Sequence, residues 1–255
     1  METLTKHSAE RIPQRIAGPA ARVSYGAPLW LLVLVFGLAV LAAGGGLLFP
    51  HLYRDSAMIR GAWLANDLVT ALLILPLMAW AAYRAQHGSR RAGIFLLGLL
   101  LYLFYNYAFY LFGSEFNVFF LAYTGLVAGS FYALAIGMLR QDWGWLQARA
   151  RRLPRVGWVS AFLAFIALPL ILVEGGAVVK YVINGRLPEV PTVIYALDLS
   201  IVVPASLLAA VLLGKRRAWG YLLAALMSIK ALTYGLVLVV MTLYLHAAGL
   251  AEWDG

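Results

Sequence analysis

The chain has 255 residues, of which 63% are hydrophobic and 12% are charged, and its mean hydropathy is +0.83. Soluble domains carry about 25% charged residues, so this composition excludes an ordinary soluble protein and indicates an all-α polytopic membrane protein. The net charge of +9 does not indicate a nucleic-acid partner, because the basic residues cluster at the ends of the predicted helices. The absence of cysteine excludes disulfides, thiolate metal sites and cysteine catalysis.

Seven apolar stretches are long enough to cross a membrane, and we predict a seven-helix transmembrane domain over residues 28–246. Residues 1–27 are polar and basic, and no clean cleavage site follows the first apolar run, so we interpret that run as a retained helix. Residues 247–255 are predicted to form a short tail. In chain order, the predicted helices span residues 28–48, 61–83, 92–112, 118–139, 156–173, 192–213 and 219–244.

Lys and Arg residues are distributed unequally between the two sides of this arrangement. The N-terminal segment and the loops after the second, fourth and sixth helices hold 15, whereas the opposite loops and the tail hold four. Basic residues favour the cytoplasmic side. We therefore predict a multi-pass protein of the plasma (inner) membrane, with a cytoplasmic N-terminus and an extracytoplasmic C-terminus. The longest basic loop, residues 140–155, carries Trp143 and Trp145, which is typical of an interfacial amphipathic segment.

The second and third helices share an order of features with the sixth and seventh. Each pair has an early acid, then a proline, a double arginine, and a glycine before an apolar run. The matching residues are Asp67 and Asp198, Pro76 and Pro204, and the arginine pairs 90–91 and 216–217. Both pairs start on the same side, which predicts a parallel repeat of three helices, a linking helix and three helices, as in some transporters. Coincidence is the alternative, because double-basic loops and membrane prolines are common.

Three charged residues lie inside the predicted helices: Asp67, Asp198 and Lys230. A charge at the bilayer centre costs about 2.5–3.5 kcal/mol on insertion scales, so these side chains should face the bundle interior and find partners. A rise of about 1.5 Å per residue puts all three in the central-to-outer part of the membrane. Lys230 could pair with either acid. Two carboxylates and one ammonium leave one negative charge over, which favours a functional role over a purely structural ion pair.

Tyr105 and Asn106, at a similar depth on the third helix, complete the predicted binding residues for a solute or ion. We expect Asn106 to form an interhelical hydrogen bond worth about 0.6–2 kcal/mol, and the neighbouring tyrosines to serve mainly packing or the aromatic belt. Glu174 is expected at the outer mouth, in water. The sequence has no paired-histidine spacing, P-loop or nucleophile motif. It therefore predicts no metal, no cofactor and no particular catalytic residue.

A lysine midway along the last of seven helices resembles the microbial rhodopsins, and an inward N-terminus resembles their heliorhodopsin branch. The resemblance implies that Lys230 would carry retinal. The chain departs from that family in three places. Residues 105–107 offer no carboxylate counterion, Leu226 stands one turn before the lysine, and no tryptophan lies near residues 202–204.

These features favour a transporter of a small solute, or one coupled to protons or ions, over an enzyme. Three alternatives stay open. The first is an intramembrane enzyme acting on a lipid or isoprenoid, with Asp67 and Asp198 as an acid–base pair. The others are a retinal-binding protein and a structural accessory subunit. The predicted partners are the lipid bilayer and a small solute or ion, without nucleic acid, and the sequence assigns no oligomeric state.

Overall fold

The computed structural model describes residues 25–185 and 191–249, which form helices joined by short connections, with no strand in either range. The predicted N-terminal segment up to residue 24 and the predicted tail from residue 250 lie outside the described residues. Seven of the helices are long and apolar enough to cross a membrane. The chain is therefore a multi-pass integral membrane protein, as the composition predicts.

The seven membrane-length helices are α1 (Leu29–Leu48), α2 (Ala57–Gln86), α3 (Arg90–Gly113), α4 (Phe120–Leu139), α6 (Val156–Asn184), α7 (Thr192–Gly214) and α8 (Ala218–Ala247). A shorter helix, α5 (Trp143–Arg152), forms within the basic loop. The Asp142 side chain caps its start by accepting a 2.9 Å hydrogen bond from the backbone N–H of Trp145. Three arginines in its last turn interact favourably with the negative end of the helix dipole.

Helices α2 and α7 each contain one turn of π-helix, over Thr70–Ile74 in α2 and Asp198–Val202 in α7. In both helices a proline follows two residues later, at Pro76 and Pro204. A proline lacks the backbone N–H and crowds the carbonyl four residues before it, which disturbs a regular helix. The wider turn ahead of each proline accommodates this disturbance, and such turns recur at functional sites.

The helices differ greatly in how deeply they are packed. In α3, 78% of the most apolar stretch is buried, whereas in α6 the corresponding value is 11%. Helix α3 packs against α2, α4 and α8, while α6 packs mainly on α7. Helix α3 is thus the central column of the bundle, and α6 is its most peripheral member.

Helix α6 is eleven residues longer than predicted. The sequence predicts a helix that ends near Val173 and a loop after it, but the helix continues to Asn184 and ends at Gly185. Gly185 has a φ of 64°, which favours glycine and is typical of a helix C-terminus. The expectation that Glu174 lies in water at the outer mouth is therefore wrong, because Glu174 lies within the helix and is buried.

Candidate functional site

The three predicted intramembrane charges belong to two separate clusters on either side of α3. We call the first the Asp67 cage, formed by Gly46, Tyr53, Asp67 and Tyr110. We call the second the charged cluster, formed by Glu174, Asp198 and Lys230. Helix α3 supplies a tyrosine to each, since Tyr110 reaches Asp67 and Tyr105 reaches Asp198.

In the Asp67 cage, neutral phenols surround a carboxyl group that is only 1% exposed. The Tyr53 hydroxyl donates a hydrogen bond of 2.5 Å to one carboxyl oxygen. The Tyr110 hydroxyl lies 3.0 Å from the other carboxyl oxygen and 2.9 Å from the Trp63 backbone carbonyl, so its single proton is shared between them. Among the described residues, no Lys, Arg or His lies within ion-pairing distance of Asp67. Burial and the nearby Asp67 carboxylate raise the pKa of Tyr53, which keeps its phenol protonated and able to donate.

Gly46 of α1 closes the cage. A Cβ atom at this position would overlap both the Asp67 carboxyl group and the Tyr53 hydroxyl, so only glycine fits without displacing them. Asp67 is 1% exposed and does not line either of the cavities described below. The cage is therefore a packed element rather than an accessible pocket.

In the charged cluster, Lys230 of α8 meets Asp198 of α7. The Lys230 Nζ lies 4.0 Å from Asp198 Oδ1, and both side chains are about nine-tenths buried. The Tyr105 hydroxyl donates a short hydrogen bond to the same Asp198 oxygen. Two of the three predicted intramembrane charges thus form an ion pair, while Asp67 lies apart from them.

Two aromatic rings also enclose the Lys230 ammonium. Its Nζ lies 3.6 Å from the ring centroid of Tyr105 and 4.8 Å from that of Tyr234. Such cation–π contacts are worth about 2 kcal/mol or more where the groups are shielded from water. Tyr105 therefore serves the cluster twice, through its hydroxyl to Asp198 and through its ring to Lys230.

Glu174 adds a second carboxyl group to this cluster. Its carboxyl group lies close enough to Asp198 and Lys230 to interact electrostatically with both, unfavourably with the acid and favourably with the ammonium. The residue is 6% exposed, and its Oε2 atom has no hydrogen-bond partner among the described residues. Sequence reasoning missed Glu174 because the two glycines after it resemble the start of a loop. The signal available was its position directly after an eighteen-residue apolar run, at membrane depth if that helix continued.

A cavity of about 400 Å³ opens beside the charged cluster, between α6, α7 and α8. Asp198 and Lys230 line its polar side, and Phe162, Ile166 and Leu170 of α6 line its apolar side. Ser206 also lines the cavity, and its fully buried hydroxyl has no hydrogen-bond partner among the described residues. The volume is within the usual range for small-molecule sites.

A second cavity, of about 340 Å³, lies between α2, α7 and α8 toward the ends of these helices that hold Ser56 and Pro191. Tyr234 and Leu238 line this cavity and also the one beside the charged cluster. These two side chains therefore lie between the cavities, and we call the second one the Pro191 cavity.

The remaining predicted residue, Asn106, is 1% exposed and forms no hydrogen bond with any described residue, so the predicted interhelical bond is absent. The α3 tyrosines do more than pack, since Tyr102 also shares a 3.1 Å hydrogen bond with Thr70.

No group of three or more His, Asp or Glu side chains in the described ranges is arranged to hold a metal ion. The acid–base pairing of Asp67 with Asp198 stays a prediction; of these two residues, Asp198 lines the cavity of about 400 Å³.

No protein-family model matches the chain, and neither a curated protein nor a solved structure matches it. The functional interpretation therefore rests on the geometry of the charged cluster and its cavity.

Proposed function

We propose that the chain is a proton-coupled membrane transporter of a small solute, and that the charged cluster is its coupling centre. The observation that carries the proposal is an uneven set of buried charges beside a cavity. Lys230 is paired with Asp198, and a second carboxyl group, Glu174, lies near enough to interact electrostatically with both. A buried net negative charge is costly at membrane depth, so the cluster attracts positive charge, whether as a proton or as a cationic solute.

The proximity of the two carboxyl groups supports proton binding. Two carboxylates close to each other repel, and a proton bound to one of them removes that repulsion. The cluster can then hold no additional occupant, a bound proton, or a cationic solute. A transporter needs such a group with alternative occupants, whereas a purely structural ion pair needs one acid only.

A repeat with a constant spacing of 128 residues supports the same interpretation. The two π-helical turns, Thr70–Ile74 and Asp198–Val202, are separated by this spacing. So are the ends of α2 and α7, at Gln86 and Gly214, and the starts of α3 and α8, at Arg90 and Ala218. We infer a parallel repeat of α1–α3 in α6–α8, with α4 and α5 as the link. Parallel repeats of this kind occur in transporters, with solute sites near the repeat interface.

At this spacing the counterpart of Asp198 is Thr70, rather than Asp67 as the sequence pattern predicts. The counterparts of Glu174 and Lys230 are then Gly46 and Tyr102. Lys230 and Asp198 are an ion pair, and at the matching positions Tyr102 and Thr70 share a hydrogen bond. All three charges of the cluster thus occupy positions that are uncharged in the first half, which supports a function specific to the second half.

We also propose that the protein lies in the inner membrane with its N-terminus in the cytoplasm, because the basic loops lie at one end of the helices. The absence of cysteine makes this testable with single introduced cysteines. In intact cells, a membrane-impermeant maleimide should label His51→Cys between α1 and α2, but not Lys215→Cys between α7 and α8. Labelling in the reverse pattern would overturn the orientation.

The transport proposal is tested in proteoliposomes that contain a pH-sensitive dye. Small cationic, anionic, zwitterionic and neutral solutes are added in turn, without an initial pH gradient. At least one class should drive a change in internal pH, and Asp198→Asn and Glu174→Gln should each reduce that change at least tenfold. Glu115→Gln, in an exposed position between α3 and α4, is the matched control and should leave it unchanged.

A folded wild-type protein that moves no protons with any solute class would overturn the proposal. The same preparation examines the retinal alternative, which gains support from the cavity beside Lys230 and the carboxyl group next to it. A visible absorption band formed with added retinal, and abolished by hydroxylamine, would make the protein a retinal-binding one. We expect no such band.

A further inference from the structure

We infer that the transported solute is a small organic cation with an apolar body, and that it replaces the Lys230 ammonium between the two carboxyl groups. This inference rests on the proposed transport function and names its solute. It adds an exchange rule: the cluster holds either the protonated lysine or the organic cation, so one proton leaves for each cation bound.

The charge of the cluster selects the sign of the solute. With all three groups ionised, Glu174, Asp198 and Lys230 carry one net negative charge. An anionic solute at Lys230 would approach two carboxylates, whereas a cationic solute would approach a site that already attracts positive charge. Tyr105 strengthens this preference because it donates to Asp198, which stabilises that carboxyl group in its charged form.

The aromatic groups select an organic cation over a metal ion. The ring faces of Tyr105 and Tyr234 contact the Lys230 ammonium at 3.6 and 4.8 Å from their centroids. Aromatic faces of this kind recognise amine and quaternary ammonium groups. A hard metal ion would instead require several oxygen ligands, and no group of three acidic or histidine side chains lies together among the described residues.

The adjoining cavity has room for the apolar body of such a cation. It measures about 400 Å³, and Phe162, Ile166 and Leu170 form an apolar wall opposite the cluster. The unpartnered Ser206 hydroxyl offers one further polar contact in the same space. Tyr234 and Leu238 separate this cavity from the Pro191 cavity, so a solute entering through the Pro191 cavity would reach the cluster past these two side chains.

The exchange of the Lys230 proton for the organic cation follows from the groups that surround Lys230. The charged groups that act on it are Asp198 from α7 and Glu174 from α6, and the phenols that face it are Tyr105 from α3 and Tyr234 from its own helix. No charged side chain of α2 or α5 is among these groups. When Lys230 gives its proton to water, its neutral amine no longer competes for the carboxyl groups, and the organic cation takes its position. Reprotonation on the other side of the membrane expels the cation, which gives antiport.

The first test measures binding of benzyltrimethylammonium to the purified full-length protein in detergent. Its neutral isostere, 2,2-dimethylpropylbenzene, has the same shape with carbon in place of nitrogen. We expect the cation to bind at least tenfold more tightly than the isostere. Equal binding of the two compounds, or no binding of the cation, would overturn the inference.

The second test follows this binding from pH 6 to pH 9. If one proton leaves for each cation bound, the affinity of the wild-type protein should rise about tenfold per pH unit over part of this range. Lys230→Met leaves the position vacant and should bind the cation with a weaker pH dependence. Lys230→Arg keeps a positive charge that cannot be released and should lose binding. An unchanged pH dependence in Lys230→Met would overturn the exchange.

Folding of these variants is checked by their unfolding temperature with and without the cation. Benzyltrimethylammonium should raise the unfolding temperature of Lys230→Met more than that of Lys230→Arg, because only the first has a vacant position. The two proposals can fail separately. Proton movement driven by another solute class, without cation binding, would overturn the inference and leave proton-coupled transport standing.

Discussion

The Asp67 cage and the charged cluster are two solutions to the same problem, a carboxyl group buried among membrane helices. Asp67 has two phenol donors, a glycine against it and no cation among the described residues. Asp198 has one phenol donor, an ammonium at 4.0 Å, a second acid beside it and a cavity. The first arrangement leaves no room for a ligand, and the second leaves both room and an unbalanced charge.

This difference shows that a buried charge marks a functional site only in combination with its surroundings. Both carboxyl groups lie near a π-helical turn, a proline and an α3 tyrosine, so these features alone do not distinguish them. What differs is the further helix that lies beside each carboxyl group. Helix α1 contributes Gly46 and closes the cage, whereas α6 contributes Glu174 and borders a cavity.

The largest expected effect comes from removing the ammonium. Lys230→Met leaves two buried carboxyl groups without a counter-charge, and breaking a buried ion pair costs about 3–5 kcal/mol of unfolding free energy. The matched change is Tyr102→Phe, at the position that corresponds to Lys230 in the proposed repeat; it removes a hydrogen bond to Thr70 and should cost about 1 kcal/mol. Unfolding in detergent, followed by tryptophan fluorescence, measures both. Equal costs would contradict the distinction between the clusters.

The next largest effect comes from a substitution on α1 that disrupts the Asp67 cage. Gly46→Ala places a methyl group against Asp67 and Tyr53, and overpacking of a filled interior should cost about 3 kcal/mol. Gly44→Ala, two residues earlier, meets no atom within 4 Å and should gain about 0.5–1 kcal/mol through its higher helix propensity. If Gly46→Ala lowers the free energy of unfolding and Gly44→Ala raises it, then Gly46 is required because no side chain fits at its position. A change in the same direction for both variants would contradict a closed cage.

The sequence predicts the helices well and their partners poorly, for a physical reason. Apolar length determines that a segment crosses the membrane, so the seven membrane helices follow from composition alone. The 174–184 portion of α6 was missed because Gly175 and Gly176 are usually read as helix breakers. A membrane tolerates glycine inside a helix because unpaired backbone groups are costly there.

The two clusters depend on which helix faces contact each other, and a single sequence does not specify this. Three predicted residues, Tyr105, Asp198 and Lys230, meet in the structure, because each lies at similar depth on helices that pack together. Asp67 does not join them; its carboxyl group is instead bonded to Tyr53, from the connection before α2. Depth along a helix is readable from residue counting, but rotation about its axis is not.

A smaller effect compares the two α3 tyrosines that donate to a buried acid. Tyr110→Phe removes a hydroxyl shared by Asp67 and the Trp63 backbone carbonyl; since no cation compensates Asp67, this should cost about 2 kcal/mol. Tyr105→Phe removes a donor from Asp198 but keeps the ring against Lys230, and should cost about 1 kcal/mol. Chemical denaturation of the two variants gives the difference. A larger loss in Tyr105→Phe would mean that the ammonium does not support Asp198.

The smallest effect concerns pH and the cage alone. Burial and the Asp67 carboxylate raise the pKa of Tyr53 in the folded protein, whereas an unfolded tyrosine ionises near pH 10. The folded state therefore retains a proton that the unfolded state loses, so this contribution to stability is complete below about pH 10 and is lost as the pH rises further. One such group changes the free energy of unfolding by at most about 1.4 kcal/mol per pH unit.

Tyr53→Phe should accordingly make the loss of stability between pH 10 and pH 11 shallower than in the wild-type protein. The remaining buried phenols of the bundle still contribute, so the dependence is reduced rather than abolished. Tyr83→Phe, which alters an exposed tyrosine on α2, is the control and should leave the wild-type slope unchanged. Unfolding temperatures measured at pH 8, 10 and 11 provide the comparison. Parallel curves for the wild-type protein and Tyr53→Phe would mean that the Tyr53 phenol is not held against Asp67.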